Sequence, residues 1–233
     1  MGIIPISYIF VLPEERQIQM DIQLDSQHLN IIGNCPDVLP EWAELNFCQC
    51  PHCPLSVTTR THCPLAANLV NIIKHLDILC SYHQIRVKVI MKNRTITQDT
   101  TIQKGISSLM GLVIATSGCP HTTFFKPMAR FHLPLADEEE TIGRAASIYL
   151  LKQYFLKNEG KPADFDLKGL VEIYDNMHTV NTTIAKRLRA ASKTDSAVNA
   201  IILLDVFTYV LPFSIEAYLQ EIKYLFDINN FST

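Results

Sequence analysis

The stretch from Gly33 to Thr61 constrains this chain most. Prolines at 36, 40, 51 and 54 deny it a long helix, because each removes a backbone N–H and crowds the turn before it. An irregular segment of that length inside a compact domain needs something to organise it. It carries Cys35, Trp42, Cys48, Cys50, His52 and Cys53, and the residues just beyond add His62 and Cys63. Five of the seven cysteines precede a proline: Cys35, Cys50, Cys53, Cys63 and Cys119.

A Cys-Pro pair has a physical use. Proline fixes the backbone beside a ligand, so the thiolate enters a site from a set direction. Cys50 and Cys53 have the spacing of a metal knuckle, which lets two thiolates reach one ion. Pro64 suits the first position of a helix, which places Cys63 at the N-cap, where the helix dipole favours a thiolate. Cys119 follows Gly118, a helix stop. The expected ligands are therefore Cys50, Cys53, Cys63 and Cys119, with Cys48, His52, His62 and His121 as reserves. Four thiolates suit zinc or an iron–sulfur cluster, and zinc held by four cysteines is structural. These residues predict a metal-stabilised interaction or regulatory module whose partner is another protein. They decide neither for nor against catalysis. Cys35 and Cys80 are expected to be plain buried side chains.

Cys50-Pro51-His52-Cys53 also resembles the C-P-H-C active site of the DsbA-type thiol oxidoreductases, over those four residues. The resemblance implies a thioredoxin fold, thiol–disulfide exchange as the activity, and Cys50 as the low-pKa nucleophile. Thiol–disulfide exchange is thus the alternative reading.

The rest of the chain predicts an α+β fold. A small N-terminal antiparallel sheet and the Cys-rich loop occupy 1–133, and a helical bundle occupies 134–233, the two packing together as one domain or standing as two. Ser7 to Leu12 reads as a strand and Pro13 to Arg16 as a turn. Ile18, Met20, Ile22 and Leu24 then alternate with polar residues, as a half-buried strand requires. Pro64 to Tyr82 reads as a helix with Leu65, Leu69, Ile72, Ile73, Leu76, Leu79 and Cys80 on one face. Gln84 to Thr97 gives a third and a fourth strand, and Thr100 or Thr101 caps a helix that Gly118 ends. Asp137 caps the next helix, with Glu140 at its third position. Helices at 166–190, 195–211 and 213–227 follow, the last two separated by Pro212. The last carries an apolar stripe of Ile215, Tyr218, Leu219, Ile222, Leu225 and Phe226, expected in the core.

With 48% hydrophobic residues, 18% charged residues and a formal net charge of −3, the chain gives no electrostatic support for nucleic-acid binding. Its most basic stretch, Lys186 to Arg189, is expected to be a solvated helix face. Ala197 to Leu211 is too short and too polar for a membrane span. No signal-like N-terminus and an odd cysteine count predict a soluble cytoplasmic protein with reduced thiols. Dinucleotide, P-loop, nucleophile-elbow and zincin motifs are absent. One further segment stands out, Lys126 to Pro134. There Arg130 and His132 alternate with apolar neighbours, as residues would that line a pocket, neutralise a buried acid such as Asp205, or cross the surface as a connector.

Overall fold

The structure is a computed structural model. It describes residues 2–76, 80–192 and 194–226, with the backbone alone at 210–214. The predicted hairpin is β1 (Ile3–Val11) and β2 (Gln17–Asp25), paired from Ile3↔Asp25 to Val11↔Gln17. β3 (Ile31–Ile32), β4 (Gln84–Met91) and β5 (Arg94–Thr101) complete an antiparallel sheet of order β3-β2-β1-β4-β5. The period-two pattern sends Tyr8, Phe10, Ile22, Leu24, Val87 and Val89 to one face, where all are buried. On the other face Ser7 Oγ donates to Asp21, and Arg86 pairs with Asp99 at 2.7 Å.

Helices cover the apolar face. α1 (Pro64–Leu76) and α2 (Ile102–Thr116) bury Leu69, Ile72, Ile106 and Met110 against it. Thr101 caps α2 by accepting from Lys104 N, and Gly118 ends it at φ 83°. A Cβ on Gly105 would stand 2.8 Å from Val87 Cγ2 and 3.0 Å from Phe10 Cε1, so only glycine lets α2 lie this close to the strands.

The second half adds α3 (Lys126–Arg130), α4 (Glu138–Asn158), α5 (Lys168–Ala191) and α6 (Ser196–Glu221). Asp137 accepts from Glu140 N while the Glu140 carboxylate accepts from Asp137 N, which is the expected cap of α4. One core cluster joins the sheet, α1 and α2 to α5 and α6, and a second gathers Ile142, Tyr149, Leu170, Tyr174 and Ile215 among α4, α5 and α6. The α+β architecture expected from the pattern is the one observed.

Several local expectations are corrected. α6 runs through Pro212 without a break. Ala197 and Ile201 are buried on one side of the proline and Ile215 on the other, so packing at both ends carries the helix past the missing N–H. The C-terminal stripe divides: Ile215 is buried, whereas Leu225 and Phe226 are exposed. Cys35 and Cys80 are exposed, not buried. Leu79 lies outside the described residues, as do residue 227 at the expected end of the last helix and the side chain of Leu211. Among the described residues, no helix is long and apolar enough to cross a membrane.

Candidate functional site

The structure brings Cys50, Cys53, Cys63 and Cys119 to one cleft of about 20 Å³, walled by Leu45, Val180, Ile184 and Arg187. Cys63 N donates to Ala43 O, and Cys63 O accepts from Ala67 N at the first turn of α1. Cys53 N donates to Cys50 O across a tight turn, and Cys119 precedes the 3-10 turn Pro120–Phe125. His121 lines the cleft, stacks on the His52 ring at 4.0 Å and bonds the His52 carbonyl through Nε2 at 3.0 Å. Cys48 is exposed at φ 45°, and the His62 ring bonds Thr61 Oγ1.

Proximity does not make this a metal centre. Among the described residues no group of three or more His, Cys, Asp or Glu side chains is placed to hold a metal ion. The expected zinc or iron–sulfur site, and the metal-stabilised module built on it, are corrected accordingly. Burial pushes the Cys119 thiol up to about 12 and raises Cys50, with the neighbouring thiols adding to both.

The same facts correct the alternative. Cys50 is raised, not lowered, and all seven cysteines are free thiols. No strand runs directly into Cys50 and no helix opens at Cys53. The sheet is antiparallel throughout, and the C-P-H-C likeness does not extend into the fold around it.

What organises the loop instead is Arg187. It lies in the basic stretch expected to be solvated, yet it is 1% exposed. Its Nη1 donates to Trp42 O and Glu44 O, both at 2.7 Å, and Nη2 donates to Leu45 O at 3.1 Å. Phe47 stacks near the guanidinium. One side chain of α5 thereby satisfies three carbonyls of a segment with no ladder of its own.

A second hollow is far larger. A cavity of about 490 Å³ opens between α2 and α6 and is closed by α3, α4 and α5. Ser107, Gly111 and Ala115 recur every fourth residue along the α2 wall, while Met177, Leu204 and Phe207 supply apolar surface from α5 and α6. That small-residue row is the signal in the sequence that would have found it. The volume falls in the range of small-molecule sites, about 300–1,000 Å³.

Polar groups converge at one part of the wall. His132 and Ser108 line the cavity, and the buried Tyr8 hydroxyl joins them, 2.6 Å from His132 Nε2 and 2.8 Å from Ser108 Oγ. Ser108 Oγ also accepts from Leu135 N at 2.9 Å. Tyr8 has one proton, so it donates in one of its two bonds and accepts in the other; His132 Nδ1 has no partner among the described residues in either case. Desolvation, reinforced by Arg144 and Arg94, lowers His132 to about 3, and burial raises Tyr8. An imidazole so weakly basic leaves Ser108 unactivated as a nucleophile near neutral pH. The trio suits recognition of a polar group.

Three more side chains complete this end. Asn181 is 2% exposed and its Oδ1 has no hydrogen-bond partner. Tyr174 is 3% exposed, and its hydroxyl bonds to no described residue. Arg144 is half-buried, and its Nη2 donates to Met128 O at 2.9 Å and Phe131 O at 3.0 Å. Of the segment singled out from sequence, His132 lines this pocket as expected and Arg130 is exposed. Asp205 is met by His178 Nδ1 at 2.9 Å rather than by either of them. Arg144, Tyr174 and Asn181 were not expected.

Fold and cavity define an α+β protein in which a helical layer borders a ligand-sized hollow with polar groups on its wall. The chain belongs to the family described as a domain of unknown function, DUF6901, whose model matches residues 6–227. No curated protein and no solved structure matches it.

Proposed function

We propose that this chain is a small-molecule-binding protein whose ligand occupies the cavity between α2 and α6. The observation that carries the reading is the cavity itself, about 490 Å³ and mostly apolar, with the buried Asn181 Oδ1 among its lining residues lacking a partner among the described residues. Interiors are normally close-packed, and buried polar groups are normally hydrogen-bonded. A large apolar hollow with a few polar groups on its wall is the default binding site of a fold. The weakly basic His132 supports binding over nucleophilic catalysis. Seven free thiols support work in a reducing compartment such as the cytoplasm.

The test is saturable uptake of Nile red, a neutral dye that brightens in apolar surroundings. The full chain is expected to bind it. Gly111→Phe, placing a ring where an added Cβ would stand 3.6 Å from Leu204, is expected to weaken binding about tenfold or more with the circular dichroism unchanged. Absence of saturable binding, or equal binding by a folded Gly111→Phe, would overturn the reading.

A further inference from the structure

The polar end of the cavity also specifies the charge of what it takes. Arg144 has no carboxylate within ion-pair distance among the described residues, since none of the ion pairs present includes it. Three acids are near: Asp137 and Glu138 line the cavity and Glu140 lies one turn before Arg144, with Asp137 and Glu140 each engaged by the other's backbone N–H in the cap of α4. Arg94 adds a second positive charge, felt by both Arg144 and His132. Desolvation acts against the guanidinium's charge and outweighs the nearby Glu140, so the site holds a cation whose cost the protein offsets only in part. Nη1 and Nε of Arg144 keep donors without a partner among the described residues, and the Tyr174 hydroxyl sits within its electrostatic reach.

We propose that the ligand is a monoanionic carboxylate on an apolar body. Its carboxylate accepts from Arg144 and from the Tyr174 hydroxyl, with His132 Nδ1 beside them. Its body lies along Leu112, Met177, Leu204 and Phe207. A guanidinium meets a carboxylate in a fork of two hydrogen bonds, and the acids on the cavity wall, Asp137 and Glu138, disfavour a doubly charged phosphate relative to it. Charged hydrogen bonds are about twice as strong as neutral ones, so the head group sets the preference and the apolar wall sets the bulk of the affinity.

This inference rests on the cavity being a binding site, and the experiment separates the two. Dodecanoate, dodecanol and dodecyl phosphate compete with Nile red on the full-length chain at neutral pH. Dodecanoate is expected to displace the dye at about tenfold lower concentration than dodecanol, and ahead of dodecyl phosphate. In Arg144→Met that preference should collapse with dodecanol unchanged, and Arg144→Lys should restore part of it. Tyr174→Phe, which removes one oxygen and no protein hydrogen bond, should lower dodecanoate affinity about threefold or more and leave dodecanol alone. Dye and dodecanol binding with no carboxylate preference would sink the head-group assignment and keep the cavity. A phosphate preference, or a carboxylate preference that survives both Arg144→Met and Tyr174→Phe, would sink it too. Failure of every probe to bind would take both readings down.

Discussion

The two hollows of this molecule share one helix and one kind of residue. α5 sends Arg187 into the thiol cleft and lends Tyr174, Met177 and Asn181 to the cavity. Each hollow has an arginine donating to backbone carbonyls. Arg187 meets three and is sealed in; Arg144, on α4, meets two, stays half-buried and keeps donors facing outward. The first arrangement closes a loop onto the body and leaves about 20 Å³; the second borders about 490 Å³. A cation sealed among carbonyls holds a loop in place, and a half-buried one on the wall of a large cavity is open to a ligand.

Substitution tests the contrast most strongly. Arg187→Met should cost about 3–5 kcal/mol in urea unfolding, because three carbonyls of the loop lose a charged donor at once. Arg144→Met should cost about 1 kcal/mol by the same measurement, as a half-exposed side chain can surrender its bonds to water. Equal losses would erase the distinction.

Next comes pH, which should separate the hollows by sign. His132 is held neutral down to about 3 in the folded chain, against 6.5 for a free histidine. Between those values the unfolded chain binds the extra proton, so stability should fall with acid at up to about 1.4 kcal/mol per pH unit below pH 6. Cys119 is held protonated up to about 12 against 9.0, so there the unfolded chain loses the proton first and stability should fall as pH rises beyond 9. His132→Asn should flatten the acid limb alone, and Cys119→Ala the alkaline limb alone, in unfolding followed across pH.

A smaller effect concerns the cavity wall. Gly111→Ala should stabilise the chain by about 0.5–1 kcal/mol, since the added methyl improves helix propensity and meets only Leu204. A loss in thermal unfolding would mean that α2 and α6 lie closer than 3.6 Å allows. Smallest is a difference in labelling. Iodoacetamide should modify the exposed Cys35, Cys48 and Cys80 first and Cys119 last in mass spectra of the native chain.

How much of this was legible in the sequence differs between the regions. The sheet was, because alternation at Ile18 to Leu24 and at Ile85 to Val89 is a local property that burial then enforces. The caps at Thr101 and Asp137 were legible for the same reason. The cysteine cleft was half legible: Cys-Pro spacing identified the four residues that meet, but not what their surroundings do to a thiol. That depends on Arg187, more than a hundred residues from the loop it holds, and on burial that no spacing reports. The cavity depended on five helices leaving a gap. Of its polar end only His132 stood out, because Arg144, Tyr174 and Asn181 each look like ordinary helix residues until the fold brings all three to one cavity wall.

The sheet ends on one side at β3, two residues long, and on the other at β5, Arg94 to Thr101. An outer strand offers its free N–H and C=O groups to any extended chain it meets, its own copies included. β5 answers with Arg94, Asp99 and four threonines in eight residues, and Ile96 is its one large apolar side chain. So polar an outer strand gives a second molecule no dry surface to zip onto, and crowding at high concentration should not turn this sheet into a seed for fibres.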